Sequence, residues 1–461
     1  MQLLDLITIF IFALGIVIMG LSFSGKGRNM KSFFAAGGAV PWAMSGLSLF
    51  VLSLFMGFFS AGTFVVWGSI AYSLGWIAIS IQWTMAIAGF VVGFFIAPRW
   101  HKTSALTVAE YITRRLGVNT QKTYTYLFLF ISLFTTGSFL YPVAKIVEVS
   151  TGMPLDLCIL LLGGFCIVYV AAGGLWAVVS TDVLQFIILT AAVLIVVPLS
   201  FGRVGGVVNF IESIPATYFN LVNGEYTIGF IIAFGVYNAI FLGGNWAYVQ
   251  RYASVNSQSS ARKVGFLFGG LYVVSAVLWM LPPMIYRIVN PSLSTIDAEG
   301  AYLMMCKEVL PAGLLGLMLS GMVFATASSL NATLNISSGV VTNDIFKRLF
   351  PQSSDKTLMR VARISTIIFG LLAIIVALLI PLMGGIVNVV ISVAALTGVP
   401  LYLPIIWTLF SKRQTEYSVI TTTLVSLGAN AFFKFITPLW GFGFNRAEEM
   451  IVGVAFPVFC L

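Results

Sequence analysis

Asp182 is a carboxylate set in the apolar run Gly173-Gly174-Leu175-Trp176-Ala177-Val178-Val179-Ser180-Thr181-Asp182-Val183-Leu184-Gln185-Phe186, which continues to Pro198 without another charge. At membrane depth an ionised carboxylate is costly unless a cation, a proton or a donor network compensates it, so it marks an ion or substrate path. Capping or bonding a neighbouring helix is the structural alternative. Ser328 and Ser329 are adjacent hydroxyls inside another apolar run. On their own, such hydroxyls usually bond a carbonyl of their own helix. Lys145 lies within a third run, one turn from Glu148. An i, i+3 ion pair near the outer surface, with the lysine extending outward, accounts for it. Metal chemistry is poorly supplied: Cys158, Cys166, Cys306 and Cys460 have no ligand spacing, and the only histidine, His101, stands in a polar loop.

The elements that position these groups follow from composition. A chain of 461 residues that is 59% hydrophobic and 8% charged exceeds what a soluble core can hide, so it is an all-α polytopic membrane protein whose partner is the lipid bilayer. Apolar runs of roughly 20 residues predict spans at 4–23, 41–70, 71–97, 124–149, 154–173, 175–201, 227–249, 264–286, 309–345, 364–381, 384–409 and 417–433. A last run starts at Met450 and reaches only Leu461, roughly 18 Å of helix, too short to cross. Either the chain continues or this end is half inserted. Asp5 stands at the start of the first span and Lys26, Arg28 and Lys31 follow it, the reverse of a cleavable signal, so this helix is expected to be retained with its start outside. Threading the spans alternately from there leaves only Arg203, Arg287, Lys307, Lys434 and Arg446, of 24 Lys and Arg, in outer loops. The net charge of +9 is therefore the positive-inside bias of a cell (inner) membrane protein, with no nucleic acid implied.

Two spans look interrupted. The run 41–70 carries Ser45, Gly46, Ser48, Ser53, Gly57, Ser60, Gly62 and Thr63, and 227–249 carries Gly235, Asn238, Gly243, Gly244 and Asn245. Each opens a set of five spans, and the threading starts one set inside and the other outside. That is an inverted repeat, and matched unwound helices in such repeats point to a mid-membrane binding site; close packing of small residues is the alternative. The expected organisation is an extra helix and loop at 1–33, repeats at 34–201 and 202–410, and C-terminal helices at 411–461.

At this level the chain resembles the sodium/solute symporter family. The resemblance is carried in order by Phe33-Phe34-Ala35-Ala36-Gly37-Gly38-Ala39-Val40-Pro41-Trp42, Gly173-Gly174 with Thr181-Asp182-Val183-Leu184-Gln185, Asn245-Trp246-Ala247-Tyr248-Val249-Gln250-Arg251, Ala325-Thr326-Ala327-Ser328-Ser329-Leu330-Asn331, and Thr342-Asn343-Asp344-Ile345-Phe346-Lys347. It implies a LeuT-type core of five plus five helices after one extra N-terminal helix, alternating access, and uptake driven by sodium. It implies a main sodium site formed by the carbonyls of Leu52 and Phe55, the carbonyl of Ala325 and the hydroxyls of Ser328 and Ser329. Some relatives hold a second sodium, which here would fall on Asp182, Ser328 and Asn331, with Ala332 offering no ligand.

By the same resemblance the solute pocket includes Met56, Phe59, Gln82, Thr135, Asn238, Phe241 and Tyr272. Thr135 falls where a sialate carrier has arginine, and Tyr272 where a galactose carrier has a sugar-binding lysine. Neither ligand is then recognised by the same contacts. Aromatic walls with neutral polar tips suit a neutral or zwitterionic sugar-like or amino-acid-like solute. The expected function is sodium-coupled import, not an enzymatic reaction. The alternatives are a proton-coupled or uncoupled carrier using Asp182, and a symporter-like membrane sensor domain.

Overall fold

The computed structural model describes residues 2–24, 55, 58–105, 107–253, 255 and 257–461. The regular elements among them are helices, as expected where lipid offers the backbone no hydrogen-bond partner. They are α1 (Leu3–Ser24), α2 (Thr63–Leu74), α3 (Trp76–Lys102), α4 (Val108–Leu116), α5 (Val118–Thr151), α6 (Leu155–Arg203), α7 (Ile228–Gly244), α8 (Trp246–Ala253), α9 (Gln258–Val289), α10 (Leu314–Val340), α11 (Asp355–Met383), α12 (Ile386–Thr408), α13 (Glu416–Trp440) and α14 (Arg446–Cys460), with shorter turns between them.

Most apolar runs become helices at the expected places, and α7 and α8 form one interrupted span bent by 60°. One expected boundary is corrected. Gly173 and Gly174 do not end a helix; α6 continues through them for 49 residues. If straight it would reach about 74 Å, more than one bilayer crossing needs. Glycine lowers helix propensity without removing a backbone donor, so the pair is a weak stop signal. The last helix also starts earlier than its apolar run. Asn445 accepts from the Glu448 amide and the Glu448 side chain accepts from the Asn445 amide, a capping box that places the start at Arg446.

Contacts divide the chain into two units, and both draw on residues from 34–201 and from 202–410. The first comprises Met1–Ala78, Ser132–Phe219 and Val277–Val387. Here α1 is fastened to α10 by the buried Asp5, whose Oδ1 accepts from the amides of Gly313 (2.7 Å) and Gly316 (3.1 Å), while Oδ2 accepts from the Gln2 amide (2.9 Å). The carboxylate satisfies donors that the first turn of α10 leaves open and faces the positive end of its dipole. The approach needs glycine: a Cβ on Gly316 would lie 2.7 Å from the Asp5 Cα. Small residues likewise seat α6 against α11, where a Cβ on Gly163 would press on Ile374 and one on Gly370 on Ile167.

In the same unit Glu299, on the short turn Asp297–Gly300, is 3% exposed. Its carboxylate accepts from the Tyr141 hydroxyl of α5 (3.0 Å) and from the Ile386 amide (3.1 Å). Gly385, at φ +89, leaves room for it, since a Cβ there would stand 2.8 Å from Oε1. Burial raises the Glu299 pKa, against the pull of those two hydrogen bonds and of Lys145. Lys145 pairs with Glu148 at 2.8 Å as expected, but its side chain is only 7% exposed and does not reach outward to solvent. A neighbouring second carboxylate explains why the ammonium stays inside.

The second unit comprises Ile79–Ile131, Asn220–Ala276 and Asn388–Leu461. Within it α3 and α9 cross almost backbone to backbone: a Cβ on Gly89 would lie 2.9 Å from the Gly269 Cα, and Gly93 meets Gly265 one turn further on. This is small-residue packing of the GxxxG kind. In α12 the π-helical turn Ala394–Gly398 loosens the carbonyl ladder. The Asn430 amide of α13 donates to the Ala395 carbonyl (3.1 Å) and to that of Gly453 in α14 (3.3 Å), holding three helices at one point.

Two outcomes follow. Asp5→Ala leaves two amides of α10 without their acceptor and should lower stability by about 1–3 kcal/mol, read as a drop in the thermal midpoint of the detergent-solubilised protein, with Asp5→Asn in between. Because the folded pKa of Glu299 is raised, the native state holds that proton more readily than the unfolded chain at pH values above the ordinary 4.5. Its contribution therefore makes stability fall as pH rises through that window. Glu299→Gln should flatten the pH dependence of the thermal midpoint there; an unchanged slope would contradict the assignment.

Candidate functional site

The expected interruption in 41–70 falls largely outside the described residues; the start of α2 is built from turns and a borrowed partner. The Phe55 carbonyl accepts from the amides of Phe58 and Phe59 (both 2.9 Å), the Ser60 carbonyl accepts from the Thr63 amide (3.0 Å), and helical geometry begins at residue 61. Among the described residues the Ala61 amide has no acceptor in its own helix. It donates instead to the Thr326 hydroxyl of α10 at 2.8 Å, and that hydroxyl donates to the Met322 carbonyl at 3.0 Å.

Several of the expected cation ligands lie in this unit. Phe55, Ala325 and Ser329 are buried, and the Ser329 Oγ has no hydrogen-bond partner among the described residues. A buried hydroxyl without a partner is unusual in a folded chain, where hydroxyls in helices normally bond back to their own backbone. Ser328 and Asn331 lie in α10 and Asp182 in α6, but their side chains fall outside the described residues, as do Leu52 and Met56 entirely.

Phe59 is committed to an aromatic cluster. It stacks on Trp279 at 4.7 Å and 14°, Phe55 meets the same indole at 5.4 Å, and Phe55 also meets Phe186 of α6 edge-on at 5.8 Å. Trp279 is the hub, and the sequence analysis missed it. Its signal would have been a bulky amphipathic ring in α9 just before Pro282-Pro283. The half-buried Thr135 donates to the Ser132 carbonyl (3.1 Å), and the Ser132 hydroxyl accepts from Ser337 of α10 (3.1 Å).

The remaining expected solute residues lie in the second unit. Gln82 is buried, and its Nε2 has no partner among the described residues. Asn238 of α7 donates from Nδ2 to the Thr84 hydroxyl of α3 (2.8 Å), and Thr84 donates to the Ile81 carbonyl (2.6 Å). The Asn238 amide therefore ties α7 to α3. Phe241 is held by rings: it stacks on Tyr237 (5.5 Å, 22°) and meets Tyr402 edge-on at 5.8 Å. Tyr272 is buried with its ring 5.3 Å from Phe268.

The α7–α8 break falls at Asn245, whose backbone is extended (φ −63, ψ 130). Its Oδ1 accepts from the Ala247 amide (3.0 Å) and its Nδ2 donates to the Tyr402 hydroxyl (3.3 Å), so one side chain caps α8 and ties the break to α12. Trp246 then stacks flat on Phe128 at 4.6 Å.

Chemically, the first unit offers buried oxygen beside the start of α2, which suits a hard monovalent cation. Among the described residues no group of His, Cys, Asp and Glu is placed to hold a transition metal. The second unit offers neutral amide and hydroxyl groups among rings, which suits an uncharged polar solute.

The model of the sodium:solute symporter family matches residues 33–425. The sodium/glucose cotransporter of Vibrio parahaemolyticus is 28% identical, with 94% of this chain and 86% of that protein aligned. Sodium/glucose cotransporter 1 of Mus musculus is 25% identical over 89% and 68%. Among solved structures, a substrate-bound outward-open Na+-coupled sialic acid symporter has the same fold, with a TM-score of 0.81 at 21% identity, covering 100% of this chain and 96% of that one. A transporter of the nucleobase-cation-symport-1 family, solved in a closed conformation, follows at a TM-score of 0.57 and 14% identity, with 90% of each chain covered. With its family pattern running through most of the spans and its helices arranged in the LeuT-type fold, the chain belongs to the sodium:solute symporter family, whose members are membrane transporters and not enzymes.

Proposed function

We propose that this protein is a secondary active symporter that couples inward movement of sodium to import of a small neutral or zwitterionic solute. The observation that carries the proposal is the Ser329 hydroxyl, buried without a partner among the described residues on α10, the helix whose Thr326 also receives the Ala61 amide at the start of α2. Sodium would be held by the carbonyls of Leu52, Phe55 and Ala325 and the hydroxyls of Ser328 and Ser329. The Phe55 carbonyl already accepts two turn amides, so it would contribute by exchanging part of that bonding for the ion. Asp182 and Asn331 are proposed for a second cation. With residues 34–201 and 202–410 as the inverted repeats, the N-terminus lies outside a cell (inner) membrane.

The proposed solute contacts are Met56, Phe59, Gln82, Thr135, Asn238, Phe241 and Tyr272. Relatives named for glucose, myo-inositol and sialic acid support a polyhydroxylated or similarly polar solute. Thr135 and Tyr272 supply no positive charge, which favours a solute without net negative charge. Sodium and solute each favour the same arrangement of the interrupted helices, and coupling is the free energy they share; alternating access then delivers both to the cytoplasm.

Ser329→Ala should raise the sodium concentration for half-maximal uptake about tenfold, the usual scale for one ligand oxygen facing a charge. Sodium activation identical to the wild type would remove Ser329 from the site. Gln82→Ala should weaken solute affinity while sodium still stabilises the solute-free protein against heat, compared with choline at equal ionic strength. A wild type that sodium does not stabilise and whose uptake follows the pH gradient would replace sodium with protons as the driving ion.

A further inference from the structure

Thr326 is not one of the proposed cation ligands, yet it joins the two elements that carry them. It follows Ala325 directly, precedes Ser329 by less than one turn of α10, and is 1% exposed. Its hydroxyl is used in both directions: it accepts from the Ala61 amide at 2.8 Å and donates to the Met322 carbonyl at 3.0 Å. The first bond caps a helix from outside it. The amide is one of the open donors at the start of α2. Ala61 is fully buried, so its amide is matched by the hydroxyl and not by bulk water.

We propose that Thr326 is a positioning residue for the sodium site, its hydroxyl fixing the separation between α10 and the start of α2. The inference rests on the sodium reading above. Sodium bound between carbonyls of the 52–55 segment and oxygens of α10 requires those elements at one separation. The Thr326–Ala61 bond forms only when they are at such a separation. Ion and hydrogen bond therefore favour the same arrangement, and linkage makes each strengthen the other. An arrangement that parts α10 from α2 loses both, and then the Ala61 amide is left without an acceptor.

The test compares Thr326→Val, which keeps the branched shape and removes the acceptor, with Thr326→Ser, which keeps the acceptor. The readout is thermal stabilisation of the purified full chain by sodium chloride, titrated against choline chloride at constant ionic strength. The valine variant should need about tenfold more sodium for the same shift, the scale of one buried amide losing its partner, while the serine variant titrates like the wild type. Equal titrations for valine and wild type would overturn the positioning role and leave the sodium reading standing. A wild type with no sodium response would overturn that reading itself and the positioning role with it. If the valine variant does not fold, hydrogen exchange of the wild type decides: peptides over residues 58–66 should exchange more slowly in sodium than in choline, and equal rates overturn the proposal.

Discussion

In a bilayer an interrupted helix leaves amides and carbonyls that water does not reach, and each must find a partner elsewhere in the chain. Three side chains in this protein meet that demand at helix ends that lie apart in sequence. Asp5 of α1 receives amides at the start of α10, Thr326 of α10 receives the Ala61 amide at the start of α2, and Asn245 caps α8 within its own interrupted span. In the first unit these caps form a relay, α1 to α10 to α2, so the placement of the start of α2 depends on two other helices. The N-terminal helix, which contributes no proposed ligand, thereby fixes the end of the helix that contributes most of them.

Packing reinforces the relay with two kinds of contact. Glycines let helices touch at the backbone, as where Gly89 and Gly93 of α3 meet Gly269 and Gly265 of α9, and dispersion with backbone contact replaces the hydrophobic effect that lipid does not supply. Aromatic rings fill the spaces beside the interruptions. Trp279 gathers Phe55 and Phe59 in the first unit, and Tyr237 and Tyr402 gather Phe241 in the second. Rings next to an interrupted helix have few rotamers and large contact areas, so a small shift of the backbone is carried outward through them.

Glu299 brings the same principle to another point of the first unit. One carboxylate joins α5 through Tyr141 to the start of α12 through Ile386, and its burial is tolerated because both oxygens have donors and Lys145 lies near. A charge placed this way holds the connection before α10 against two helices at once.

Much of the architecture was legible in the residues alone, because lipid imposes a length and a polarity on every crossing. The spans, the interruption near Asn245 and the oxygen-bearing stretch at Ala325–Ser329 follow from apolar runs, small residues and hydroxyls, which are local properties. What escaped were properties of pairs distant in sequence. Thr326 reads as an ordinary helical threonine until Ala61 is placed beside it, Asp5 as a flanking charge until Gly313 and Gly316 meet it, and Trp279 as one indole among ten. The helical continuity of Gly173-Gly174 and the burial of Lys145 were misjudged for the same reason, since glycine content and an i, i+3 spacing say nothing about neighbours. The sequence by itself determined the kind of elements and where most of them run, through local hydrophobicity and backbone chemistry. Only the tertiary structure decided which side chain completes which helix end, because an open amide in the membrane is satisfied by whatever oxygen packing brings within about 3 Å.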